Sequence, residues 1–249
     1  MKILLVNDDG IDSPYLRLLC GELAGRGHTV CVCAPAEQQS AKGHCMTIHG
    51  QIRVEPRQVD GAQQAWAVSG TPVDCTRIGL LAIFPEAELV ISGINDGPNA
   101  GCDLYPSGTV GAAREAAFRH YRAMALSTLW NIPEETLAYC AKWGADTAEK
   151  LARMENYPDR CLLNVNFPSV PVREIRGAVL CPVGAQEVGD VYKGEPCEDG
   201  AVLYTPQYLV PEQVFPDGTD VGYLYGGWIA CSFLGMENID QTPFEGIIP

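Results

Sequence analysis

Asp8 and Asp9 stand side by side in Asn7-Asp8-Asp9-Gly10, at the end of a short apolar run, KILLV. Two adjacent carboxylates at the end of a buried strand repel each other. A hard divalent cation beside them removes that cost and takes their oxygens as ligands. The other reading is that one carboxylate caps the following helix and its neighbour is solvated, although Asp12 and Ser13 lie closer to the helix start. Ser40 and Asn95 offer neutral oxygens, which complete a Mg2+ or Mn2+ shell without adding charge. Either alone also reads as an ordinary loop residue. Ser107-Gly108-Thr109 precedes a helix that opens with small residues, Val110 to Ala113. Free N–H groups and a partial positive charge at such an end suit an anion such as phosphate, and Gly108 lets the backbone approach it. A plain Ser/Thr cap is the alternative there. His44 could donate to a phosphate or protonate a leaving oxygen, though a lone loop histidine more often does neither.

These residues need a frame. Lys2 to Val6 reads as a strand buried on both faces. Ser13-Pro14 marks a capped helix with proline at its first position, and Leu16, Leu19, Cys20 and Leu23 give it one apolar face. After Gly25 and Gly27, His28 to Cys33 reads as a second strand. A strand–helix–strand unit of this length predicts a parallel sheet with a right-handed crossover. Residues 34–50 form a long irregular segment. Strand-like pieces follow near Gln51–Pro56 and Gln64–Val68. A helix capped at Thr71-Pro72, with Asp74 in its first turn, runs to about Phe84. Glu88 to Ser92 is a further strand, leading into a glycine- and asparagine-rich loop, 93–99. An alanine-rich helix follows to about His120, then a strand at Arg122–Thr128, a helix at Glu134–Met154 and a strand at Cys161–Asn166. After Pro168 helical periodicity fades, and 173–208 reads as extended structure with long loops. The expected class is α/β: a Rossmann-like, doubly wound, mainly parallel sheet over 1–168, with a β-rich C-terminal extension over 169–249. In such a sheet ligands bind beyond the carboxyl ends of the strands. That rule selects three loops, carrying Asp8 and Asp9, then Ser40, Gly43 and His44, then Asn95, Asn99 and Ser107 to Thr109.

Composition narrows the function. The 249 residues are 47% hydrophobic and 19% charged, enough to bury a core. A net charge of −14 opposes binding to nucleic-acid polymers or anionic membranes, so a bound anion needs local positive charge, most simply from a metal. The charge-free run Val221–Met236 is shorter than the roughly 20 apolar residues of a membrane helix, and no signal peptide is visible. The 11 cysteines are scattered without a CxxC, as expected of reduced core cysteines in a cytoplasmic protein.

Taken in order, Asn7-Asp8-Asp9-Gly10, Gln39 to His44 (QSAKGH), Gly70 to Asp74 (GTPVD), Ser92 to Gly101 (SGINDGPNAG) and Ser107 to Ala113 (SGTVGAA) closely resemble the motifs of the SurE family of metal-dependent nucleotidases. Leu163 to Pro168 resembles that family's LNVNxP strand. The resemblance covers about 1–168 and implies a Rossmann-like phosphatase acting on nucleoside 5′- or 3′-monophosphates, with short polyphosphate as a further substrate. It implies one divalent ion per subunit, Mg2+ or Mn2+, held by Asp8, Asp9, Ser40 and Asn95, with Asp8 or Asp9 orienting or deprotonating the attacking water. Asn99, Ser107, Gly108, Thr109, Gly43 and His44 are then the phosphate and substrate contacts. It also implies a homodimer or homotetramer, with the C-terminal part packed between subunits. Departures lie after 168. The 181–194 stretch has one Lys and no Arg where the family often has an arginine-rich segment, and Gly227 to Leu234 replaces a family strand. Two rivals remain: catalysis through an aspartyl phosphate on Asp8, against which the adjacency of the two carboxylates argues, and a non-catalytic nucleotide- or metal-binding relative.

Overall fold

The computed structural model describes residues 1–185, 189–209 and 218–235. Parts of the expected C-terminal extension (186–188, 210–217 and 236–249) lie outside the described residues. One sheet of nine strands runs through the molecule. Inside it, β1 (Lys2–Val6) is flanked in parallel by β2 (Thr29–Pro35) and by a long strand at Leu89–Asp96, the middle strand of the sheet. Beyond β2 lie β4 (Gln64–Val68), parallel to it, and the antiparallel edge strand β3 (Val54–Arg57). On the other side the Leu89–Asp96 strand, β5, is followed in parallel by β6 (Arg122–Thr128) and β7 (Leu162–Phe167).

Helices cover both faces. On one, α1 (Pro14–Gly25) and α4 (Glu134–Ala152) bury Leu16, Leu19, Leu23, Cys140 and Ala145 against Ile3 and Leu5. On the other, α2 (Pro72–Ile78) and α3 (Gly108–Phe118) bury Cys75, Val110 and Ala113 against Leu4 and Val6. Successive β1 side chains therefore enter opposite cores, which is why KILLV carries no polar alternation. The chain leaves β1 toward β2 on one side and later fills β5 on the other. That reversal opens a crevice at the carboxyl ends of β1 and β5.

Two elements differ from the expected boundaries. The segment expected to loop after Ser92 stays in the sheet to Asp96, with a register shift between Ser92 and Asn95. Gly93 has φ +128°, and a Cβ there would run into the Leu126 carbonyl oxygen. The glycine that reads as a loop signal marks a bulge, after which pairing resumes. The helix expected to reach Phe84 leaves α-geometry at Ile78 and closes as a π-helical turn, Gly79–Ile83.

Residues after 168 do not form a separate sheet throughout. β8 (Ala178–Leu180) and β11 (Ile229–Leu234) join the main sheet, β11 running antiparallel to β7. Between them β9 (Gly189–Pro196) and β10 (Val202–Leu209) form an antiparallel hairpin of their own. A short helix, α5 (Asp220–Tyr225), capped by Thr219, lies within the extension expected to be β-rich. Among the described residues no helix is long and apolar enough to cross a membrane. All eleven cysteines are free thiols.

Candidate active site

The turn after β1 is closed by Asn7. Its Nδ2 donates to the Gly10 carbonyl at 2.8 Å, and its Oδ1 accepts from the Gly10 N–H at 3.2 Å. Gly10 takes φ +99°, which a side chain would resist. This loop presents Asp8 and Asp9 at the crevice. Asp8 is buried, 4% exposed, and Thr109 donates its hydroxyl to Asp8 Oδ1. Burial pushes the Asp8 carboxyl up, opposed by that hydroxyl and by the N–H groups of Thr109 and Gly108 at the start of α3. Asp9 is pushed up to about 6, first by burial and then by the charge of Asp8 beside it. Among the described residues no Arg, Lys or His forms an ion pair with either carboxylate.

The other expected ligands approach the same pair. The Gln39 N–H donates to the Asp8 carbonyl at 2.7 Å, which fastens the loop after β2 to the end of β1. Gln38 donates its amide to Ser40 Oγ at 3.1 Å, and the same side chain lies close enough to Asp9 to draw its carboxyl down against the effect of burial. Gln38 therefore joins Ser40 to the carboxylate pair; an exposed glutamine in an irregular segment carries no signal that marks it. From the β5 side, the Asp96 N–H reaches Asp9 Oδ2 at 3.4 Å. Asn95 donates Nδ2 to the Gly97 carbonyl at 2.8 Å, and its Oδ1 accepts nothing from the described residues. The structure thus joins the loops that carry Ser40 and Asn95 to Asp8 and Asp9, through Gln39 on one side and Asp96 on the other.

The donor set fits a hard divalent cation. A buried carboxylate, Asp8, and a half-buried one, Asp9, stand without a counter-ion among the described residues, and the loops bonded to them carry the neutral oxygens of Ser40 and Asn95, the oxygen-rich chemistry such ions take. Among the described residues no group of three or more His, Cys, Asp and Glu side chains could hold a metal. A site here draws on Ser and Asn oxygens, or on water, for the rest of its shell.

The expected phosphate contacts divide. Ser107 caps α3, accepting from the Val110 N–H at 3.1 Å. A Cβ at Gly108 would sit 2.9 Å from both Cβ and Oδ2 of Asp8, so glycine is what lets the helix start abut the carboxylate. Gly43 donates to the Pro106 carbonyl at 2.7 Å and lies against Gly111, docking the Ser40 loop on α3. Asn99 is 6% exposed and ties strands together. Its Nδ2 donates to Ser127 Oγ at 2.7 Å, its N–H to Asn166 Oδ1 at 2.8 Å, and its carbonyl accepts from Asn164 and Asn166.

His44 packs against α3 through Glu115 and Phe118. Its Nε2 lies 3.0 Å from Glu115 Oε2, and its ring stacks on Phe118 at 5.3 Å. Glu115 is six residues beyond Thr109, ~9 Å along α3. Glu115 also receives Arg77 at 2.9 Å and Arg119 at 2.7 Å. Burial alone would raise the Glu115 carboxyl, but His44, Arg119 and Arg77 outweigh it and hold it low. The i,i+4 spacing of Glu115 and Arg119 was the one legible trace of this hub. Asp74 anchors the same loop from α2. Besides closing the capping box with Thr71, it accepts from Thr47 N and Oγ1 at 2.9 and 2.7 Å.

Residues 3–190 match the family model described as survival protein SurE. A protein of Nitratidesulfovibrio vulgaris named 5′-nucleotidase SurE is 39% identical over 244 residues, 97% of this chain and 96% of that one. A protein of the same name from Clostridium beijerinckii is 33% identical over 96% of this chain and 95% of its own. The crystal structure of the SurE protein from Aquifex aeolicus superposes with a TM-score of 0.82 at 29% identity, covering 99% of this chain and 98% of that one.

Proposed function

The chain belongs to the SurE family, and from that premise we propose that it is a 5′-nucleotidase, a phosphatase that converts a nucleoside 5′-monophosphate and water to nucleoside and phosphate. The observation that carries the chemistry is the pair of counter-ion-free carboxylates, Asp8 and Asp9, at the sheet's switch point. We assign Asp8, Asp9, Ser40 and Asn95 as ligands of one divalent ion per chain, Mg2+ or Mn2+. Such an ion, when bound, supplies charge neutralisation, polarisation of a phosphoryl oxygen and a more acidic water.

The chain's own residues do the rest. Asp8 is held by Thr109 and the helix start, and serves as a fixed ligand. Asp9, less buried than Asp8 and not tied to the Thr109 hydroxyl, is the better placed to orient or deprotonate the attacking water. The start of α3, with Ser107 and Gly108, turns its dipole toward the equatorial phosphoryl oxygens. Thr109, whose hydroxyl is committed to Asp8, acts on the substrate through that carboxylate. Attack forms a bond from the water oxygen to phosphorus and breaks the ester bond; the water's proton passes to Asp9, and the leaving sugar oxygen takes a proton from solvent. His44, bound to Glu115, serves to fix the Ser40 loop. For the remainder of the chain we propose a catalytic core over 1–168 and a subunit-contact or substrate-capping role for 169–249, in a homodimer or homotetramer. The exposed Tyr192, Leu203 and Tyr204 of the β9–β10 hairpin support that role.

The test is phosphate release from nucleoside 5′- and 3′-monophosphates and short polyphosphate, with Mg2+, Mn2+ or EDTA. Metal-dependent turnover led by the 5′-monophosphates is expected. Nucleotide binding without turnover would instead identify a non-catalytic relative.

A further inference from the structure

The carboxylate crevice accounts for the phosphate and leaves the base of the substrate without a seat. Trp130 follows the end of β6, the strand next to β5 at the same edge of the sheet. It is a large aromatic residue left 51% exposed, and among the described residues it joins no ring pair. Its position is nonetheless fixed. Gly97 has φ +139°, and a Cβ there would lie 2.7 Å from Trp130 Nε1 and 3.2 Å from Cε2. The pyrrole edge of the indole therefore rests on the Gly97 backbone. Gly97 is in turn bound to the site: its carbonyl accepts from Asn95 Nδ2 at 2.8 Å, it bridges to Thr128, and Thr128 Oγ1 donates to the Asn95 carbonyl at 3.1 Å. A single residue, Asp96, separates Asn95 from the glycine that carries the ring.

Resting on the nucleotidase reading, we propose that Trp130 is the platform on which the nucleobase of the substrate stacks while its phosphate lies against Asp8, Asp9 and Asn95. An indole pinned along one edge and open to solvent offers a flat apolar surface at little ordering cost. Every base has a π-face to lay on it, and the larger purines gain most area. Trp130 is thus a specificity residue that binds the part of the substrate remote from the reacting phosphorus.

The experiment measures kcat and KM for adenosine 5′-monophosphate and for ribose 5-phosphate, which has the same phosphate and sugar but no base. Wild type, Trp130→Ala and Trp130→Phe are compared under the same metal. The expected result for Trp130→Ala is a rise of about tenfold in KM for the nucleotide, with kcat and both constants for ribose 5-phosphate little changed. Trp130→Phe should recover most of the loss. Equal changes for the two substrates, or none for either, would overturn the platform while leaving the nucleotidase reading standing. Wild-type enzyme that hydrolyses neither substrate would overturn both.

Discussion

The hydroxyl of Thr109 donates a hydrogen bond to the carboxylate of Asp8, joining residues 101 positions apart in the chain. That bond couples the carboxyl end of β1 to the first turn of α3. It holds one oxygen of a buried acid while Gly108 abuts the other. The carboxylate cannot turn freely, and the helix start that suits an anion is set beside it.

Thr109→Val keeps the shape of the side chain and removes the donor. Asp8 then loses its orientation and keeps its burial. The expected cost is about 10- to 100-fold in kcat/KM or metal affinity, the usual effect of removing a group that orients a metal ligand. Thr109→Ser should retain most activity. Steady-state kinetics on the two variants decides it, and equal losses in both would assign Thr109 to packing alone.

Gly111 is where the Ser40 loop crosses α3. A Cβ at this position runs into the Gly43 carbonyl, and backbone cannot swing aside as a side-chain tip can. Gly111→Ala should destabilise the protein by about 1–3 kcal/mol. It should also lower activity by shifting Ser40, which thermal unfolding and turnover would register together.

Glu115 gathers His44, Arg77 and Arg119 while only 3% exposed. Glu115→Gln should cost about 2 kcal/mol near neutral pH, because charged hydrogen bonds are lost and their partners remain. The folded carboxyl is held below its ordinary value of 4.5. Its contribution is therefore present above that value and is lost as pH falls through the depressed one. The gap in unfolding free energy between wild type and variant should close on acidification.

Asp9 has the opposite sign. Its carboxyl rises from an ordinary 3.8 to about 6 on folding of the metal-free chain, so between those values the folded state holds the proton more tightly. Stability of the metal-free protein should fall as pH rises through that window, and stay lower above it. Melting in EDTA at intervals across it, for wild type and Asp9→Asn, gives the measurement. The variant should lack this part of the decline.

Much of this was legible in the sequence. KILLV, ELVIS and CLLNVN are buried on both faces and needed no alternation to read as central strands. Ser13-Pro14 and Thr71-Pro72 cap the helices they were expected to cap, and Ser107 caps α3, the plainer of its two readings. Less visible was whatever depends on contacts between distant segments. Gly93 reads alike as a loop or a bulge until β6 lies beside it. His44 reads as a lone loop histidine until Glu115 is found within 3.0 Å of its ring. Gln38 and Trp130 carry no local pattern, and only the packing of the loops after β2 and β5 shows what they adjoin.

We assign to a divalent ion the place beside Asp8 and Asp9, where no Arg, Lys or His of the described residues stands as counter-ion. Titration of the metal-free protein with Mn2+, followed by the ion's paramagnetic resonance, tests it most directly. Wild type should bind one ion per chain, and Asp8→Asn and Asp9→Asn should each weaken that binding at least tenfold (about 1.4 kcal/mol) while remaining folded. Unchanged binding in both folded variants would contradict the assignment and place the metal elsewhere.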